Sequence, residues 1–311
     1  MRALVFTDPG KVELRDEPVP TVGADEELVT VRASGICGSE LHGFRTAGFR
    51  VPPLIMGHEF VGTTSDGRRV AVNPLRACGN CDSCLHGRTQ LCRDRSLFGV
   101  HRPGGFAEQV AVPRSALHVL PDDLPFAAAA LIEPLANAIH VWSLLPEHPH
   151  RIVVLGAGPI GLLCAMFACT RGAHVEITDP SPNRRTTAER LSLRVVGEPT
   201  GEYDAVIDAV GVPATRQATI DRTRPGGTAV WIGLAHDSAE ISGDTVVRGE
   251  KTIRGSFAYT PEEFGRAVAL APSLDLGWAR EVPFEQAADV FYALADGNTE
   301  IAKAVIVPEP A

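Results

Sequence analysis

The chain has 311 residues, 44% hydrophobic and 22% charged, and its 29 Lys and Arg stand against 38 Asp and Glu for a formal charge of −9. This composition excludes disorder and fibrous structure, and the length buries a core without disulfides and allows two domains of common size. An acidic balance with no basic stretch argues against a nucleic-acid partner held by phosphate neutralisation, which leaves a small-molecule substrate as the better expectation.

Residues 1–17 alternate apolar and charged side chains with no continuous apolar core, so no signal peptide is expected and the chain is placed in the cytoplasm. Up to about residue 125, short apolar runs broken by Gly and Pro predict strands at 3–6, 27–31, 69–72 and 106–112. Ser65-Asp66-Gly67 reads as a tight hairpin, and only nineteen residues separate His58 from Cys78. The loops 44–53 and 97–104, with Phe98 and His101, are expected to line a pocket. An alanine-rich segment at 125–142 follows. The texture then changes to strands at 151–155, 174–178, 205–207, 228–232 and 252–256, with an apolar helix at 159–170. Strands alternating with helices imply parallel βαβ units. Helices at 261–270 and 284–296 and a strand at 304–307 close the chain. No stretch is long and apolar enough to span a bilayer, since Glu133 interrupts 126–142 and 160–170 is too short, so no membrane partner is expected.

Gly156-Ala157-Gly158-Pro159-Ile160-Gly161 matches G-x-G-x-x-G, a pattern that means little alone. Here it follows a buried-type strand, opens a helix, and precedes Asp179 by eighteen residues at the end of the next strand. Gly156 is expected to permit the turn, Gly158 to let backbone approach a pyrophosphate, and Gly161 to let helix and strand pack closely. The helix start at Pro159 and Ile160 offers the unpaired N–H groups that follow the proline and the positive dipole end. Asp179 would accept from the ribose hydroxyls and repel a 2′-phosphate, favouring NAD over NADP. Arg184 and Arg185 keep NADP open, because an arginine there accommodates that phosphate.

Cys78, Cys81, Cys84 and Cys92 fall within fifteen residues. Four thiolates in one loop suit a closed, structural zinc, with iron–sulfur ligation as the competing reading. Cys164 and Cys169, on the apolar helix, read as small buried hydrophobes. Cys37 remains, in Gly35-Ile36-Cys37-Gly38-Ser39-Glu40-Leu41-His42. Downstream stand Gly57-His58-Glu59 and Glu133-Pro134-Leu135. All offer zinc-competent side chains, but spacing alone does not join them.

Together with the 3–6 start, the Asp208-Ala-Val-Gly211, Pro225-Gly-Gly227 and Gly255-Ser-Phe257 segments and Lys303, these motifs resemble the zinc-dependent branch of the medium-chain dehydrogenase/reductase superfamily, the alcohol and polyol dehydrogenases. The resemblance spans nearly the whole chain. It implies an α/β fold: a GroES-like, β-rich catalytic domain from 1–134 and 257–311, carrying the zinc lobe at 78–92, and an inserted Rossmann domain, a doubly wound parallel sheet, at 135–256. It implies two zinc ions per chain, one catalytic and one structural, and a homodimer or homotetramer. Cys37 and His58 would be catalytic zinc ligands, with Glu133 as the third and Glu59 as an outer or alternating ligand. Glu133 stands where primary-alcohol dehydrogenases carry cysteine and polyol dehydrogenases glutamate, which points to a secondary alcohol of a polyol, cyclitol or amino sugar. The compact chain is also similar to aminocyclitol dehydrogenases of biosynthetic pathways. Ser39 and His42 would relay the alcohol proton to solvent, Glu40 replaces the usual aspartate, and Lys303 would reach the pyrophosphate. An NADPH-dependent carbonyl or alkene reductase and a non-catalytic zinc-stabilised dinucleotide-binding protein are the alternatives.

Overall fold

The computed structural model describes residues 1–45 and 48–308; positions 46–47 of the 44–53 loop and 309–311 of the closing segment lie outside the described residues. The chain folds as two compact units, Met1–Glu133 with Thr260–Ala311, and Pro134–Tyr259.

In the first unit the long strand Glu26–Gly35 organises the main sheet. Its first half pairs antiparallel with Gln109–Pro113, and along its length it pairs with Glu59–Thr64 on one side. Its end pairs with Ala304–Val307 on the other, so that both ends of the chain close one core. Arg69–Val72 extends the sheet beyond Glu59–Thr64 through the expected hairpin, where Gly67 takes φ +85° and donates to the Thr64 carbonyl at 2.9 Å. A smaller sheet joins Lys11–Asp16, Arg2–Asp8 and Leu54–Ile55. Alternation along Arg2–Asp8 sends Leu4 and Phe6 into a core with Ile36, Met56, Phe106 and Phe291, while Ala3 and Val5 pack with Ile55 and Ala107 on the opposite face. The 106–112 run is a strand only over Gln109–Pro113, because Phe106 instead bonds across to Leu4 and Met56.

The second unit is a six-stranded, wholly parallel sheet. Its order is Arg194–Val195, His174–Thr178, Arg151–Leu155, Tyr203–Asp208, Thr223–Trp231, Thr252–Gly255. The order reverses between Arg151–Leu155 and Tyr203–Asp208, and ligands of open parallel sheets bind at the carboxyl ends of the strands beside such a reversal. Helices Pro159–Thr170, Pro182–Arg190 and Pro213–Arg222 each open on proline, whose missing N–H costs nothing at the first helical position. The alanine-rich segment splits into helices Phe126–Ala129 and Ile132–Ser143. Among the described residues no helix is long and apolar enough to cross a membrane.

Candidate metal centres and nucleotide-binding turn

Cys37 follows the end of strand Glu26–Gly35 and precedes the helix Gly38–Gly43; His58 and Glu59 come where strand Glu59–Thr64 begins. Because Gly35 and Glu59 are register partners, the three residues converge, and their ligand atoms lie within 4.8 Å of one another. The converging set therefore contains Glu59, the residue assigned the outer or alternating place. Glu133, expected as the third ligand, is not in this group; it sits half-buried in the first turn of helix Ile132–Ser143.

Glu40 is the organiser that its sequence position only hinted at. Fully buried, it accepts from Cys37 N at 3.0 Å with one oxygen, and from Gly57 N at 2.8 Å with the other, which also meets His58 Nδ1 at 3.0 Å. Holding Nδ1 this way leaves Nε2 as the ring's metal-binding atom. Burial alone would raise the Glu40 carboxyl, but His58 and then Arg50 hold it below the ordinary carboxylate range. Burial would likewise lower His58, yet Glu40 and Cys37 keep it well above its ordinary value. Arg50, itself fully buried, ties the Ser39 carbonyl at 2.9 Å to the Gly99 carbonyl at 3.0 Å. Ser39 Oγ lies 3.4 Å from Cys37 Sγ, and His42, one turn further on the same short helix, is exposed.

Two observations say that this group seeks a cation. Negative charge converges on a buried imidazole, and Glu59 Oε1 is buried with no hydrogen-bond partner. A neutral ligand answers neither; a metal ion held by Cys37, His58 and Glu59 answers both. Glu40→Gln, which keeps the shape but gives up the charge behind His58, is expected to weaken metal binding and turnover about 10- to 100-fold. Metal titration and kcat measured on the same preparation check this.

Lys303, expected to reach a pyrophosphate, lies in the first unit. Its side chain is 2% exposed and its ammonium donates to the Ile36 carbonyl at 2.9 Å and to Glu59 Oε2. Pairing of Ala304–Val307 with the end of Glu26–Gly35 carries it there, beside the metal group.

Cys78, Cys81, Cys84 and Cys92 form the second group, with no disulfide among them. The Cys81–Cys84 and Cys78–Cys84 sulfurs are 3.5 and 3.9 Å apart. Four ligands about 2.3 Å from one tetrahedral ion stand roughly 3.8 Å from each other, so the crowding fits a single metal. Cys78 N also donates to Cys92 Sγ at 3.3 Å. The Cys84 N–H draws the Cys81 thiol down to about 6, whereas burial and the Cys81 sulfur push Cys84 up to about 12. Cys81 and Cys84, pushed in opposite directions, ionise together only around a cation. Of the other two cysteines, Cys164 is buried, but Cys169 is exposed near the end of its helix.

In the second unit each glycine of the turn does separate work. Gly156 takes φ +100°, a Cβ on Gly158 would meet nothing within 4 Å, and one on Gly161 would lie 1.9 Å from the Gly156 carbonyl. Helix Pro159–Thr170 therefore begins with N–H groups that no side chain caps. Asp179, 4% exposed, accepts from Ala157 N and Ser181 N at 2.8 Å each, and Arg184 pairs with it at 3.5 Å. The turn, the open Gly158 face and the acidic residue have the geometry of a dinucleotide seat.

The 48–55 and 100–103 segments line one cavity of about 780 Å³ with Val5, Arg15 and Glu17. His101 belongs to that wall, edge-on to Phe49. Phe98 does not: it is 2% exposed, packed against Phe60 in the core.

Residues 23–122 match the alcohol dehydrogenase GroES-like domain and residues 159–273 the zinc-binding dehydrogenase domain. The chain is 33% identical to the L-galactonate-5-dehydrogenase of Escherichia coli K12, over 98% of each chain. Among solved structures it is similar to a zinc-binding dehydrogenase of Sinorhizobium meliloti 1021 bound to NADP, at 29% identity and a TM-score of 0.91 over 99% of both chains. It is also similar to the L-idonate 5-dehydrogenase of Escherichia coli, at 27% identity and a TM-score of 0.90, covering 98% of this chain and 97% of that one.

Proposed function

The chain belongs to the zinc-dependent alcohol and polyol dehydrogenases of the medium-chain dehydrogenase/reductase superfamily, and from that premise we propose that it interconverts a secondary alcohol and its ketone on a polyhydroxylated molecule, using NAD in preference to NADP. It is an NAD(P)-dependent oxidoreductase acting on the CH–OH group of a secondary alcohol, and zinc and a nicotinamide dinucleotide are its cofactors. Polyols and sugar acids are the favoured substrates, with cyclitols and amino sugars as neighbours in chemistry. Glu133-Pro-Leu and the names of the galactonate and idonate enzymes support that choice.

One observation carries the reading: Cys37, His58 and Glu59 converge with an unpartnered carboxylate oxygen among them. These three would hold the catalytic zinc, with Glu133 in the alternating role and Cys78, Cys81, Cys84 and Cys92 around the structural ion. When bound, zinc lowers the proton affinity of a substrate alcohol and NAD accepts hydride from its carbon. Ser39 Oγ would accept the alcohol proton while passing its own toward exposed His42, in the same helix, and His42 would release a proton to water. Gly158 opens the backbone to the pyrophosphate, and Asp179 accepts from the ribose hydroxyls.

The test is oxidation of a panel of polyols, aldonates, cyclitols and amino sugars with NAD and with NADP, alongside ethanol. Secondary-alcohol oxidation with NAD is expected; activity confined to primary alcohols, or to alkene reduction with NADPH, would overturn the proposal. Asp179→Ser loses a charge-assisted bond to ribose of about 1.5–3 kcal/mol, so NAD affinity is expected to fall roughly 10- to 150-fold. NADP affinity, relieved of repulsion, rises in the same titration.

A further inference from the structure

Sheet register sets three residues side by side at the edge of the metal group. Gly35 pairs with Glu59 on one flank and Val305 on the other, and Lys303 stands two residues before Val305. The Lys303 ammonium binds Glu59 Oε2, while Oε1 stays without a partner. Room for this comes from Gly35, where a Cβ would lie 2.1 Å from Glu59 Oε2 and 2.9 Å from Lys303 Cε. Both charged side chains are almost completely buried, at 2% and 1% exposure, a costly arrangement that a neutral strut would avoid.

A carboxylate beside a metal can coordinate through one oxygen or two. A catalytic zinc site with three protein ligands works because a further position stays open. We propose that Lys303 is a positioning residue that withholds one oxygen of Glu59 from the metal, so that Glu59 serves as a single-oxygen ligand and the substrate position stays free. The inference rests on the reading of Cys37, His58 and Glu59 as a metal set. Lys303 and the metal then compete for one carboxylate, and removing the resident cation tightens the hold on the other.

The experiment is chelator extraction of metal from purified Lys303→Met, Lys303→Gln and Lys303→Arg proteins, with visible spectra of their cobalt-substituted forms. In Lys303→Met the metal of the Cys37 group is expected to leave about tenfold more slowly or slower still, the scale on which partners of metal ligands act. The cobalt absorption weakens as coordination rises, kcat falls, and Lys303→Arg restores all three. Lys303→Gln keeps an N–H donor but no charge, so it decides the matter if Lys303→Met does not fold, and it is expected to slow extraction in the same direction. Faster metal loss in the neutral variants, or release and spectra unchanged, makes Lys303 a structural strut and overturns the proposal. Should the parent protein hold one zinc only, retained in Cys37→Ser, the metal-set reading itself fails and the proposal with it.

Discussion

Cys37→Ser is expected to lower the zinc content from about two ions per chain to about one, and kcat/KM by roughly three orders of magnitude. A serine hydroxyl is un-ionised at neutral pH and a poor zinc ligand, so only His58 and Glu59 would remain of the set. Two ligands do not hold the ion against solvent. Lewis-acid assistance is worth several kcal/mol, and each 1.36 kcal/mol is tenfold in rate, which gives the size of the loss. Two further measurements make the result specific. NADH binding, followed by fluorescence, should persist, because the Gly156 turn and Asp179 belong to the other unit. The melting temperature should move little, since Cys37 is partly exposed and its backbone N–H keeps its bond to Glu40. Full activity with one zinc lost would remove this group from the chemistry.

What could be read from the sequence depended on how local the physics is. The glycine motif was legible because each constraint acts within a few residues: a positive φ at Gly156, an open face at Gly158 and a contact from Gly161 back to the Gly156 carbonyl. The cysteine lobe was legible for the same reason. Glu40 was half legible. Its place three residues after Cys37 lets it bond the Cys37 N–H, but its grip on Gly57 and His58 depends on how the strands return. The Glu59–Lys303 pair spans 244 positions and exists only because one strand pairs on both sides, so no spacing rule could have joined them. The nearness of Glu59 to Cys37 has the same origin, because it follows from sheet register, which is invisible in a single sequence. Helices Pro182–Arg190 and Pro213–Arg222 carry little apolar patterning, and their plainest signal is a proline at the first position.

The second large effect is expected at the cysteine lobe. Cys81→Ser should remove the other zinc, leave the Cys37 group loaded, and loosen residues 78–92. Little else holds that segment: a one-turn helix Asp82–Leu85, a single 3-10 turn Thr89–Leu91, and exposed Leu85, Leu91 and His86 in place of a core. In such a loop the metal-binding free energy is the folding free energy. A loss of several kcal/mol in a chain of this size lowers the melting temperature by about 10 °C when the lobe unfolds with the rest. Should the lobe instead open alone, the loss shows as protease cleavage within it and rapid amide exchange at unchanged global stability. Either result, with one zinc gone and NADH binding retained, identifies a structural ion. Adding Cys84→Ala should then change nothing further, because ligands of one ion act as a unit and the second removal finds the site already empty. An additive second drop would mean that the sulfurs pack independently and that no shared ion holds them.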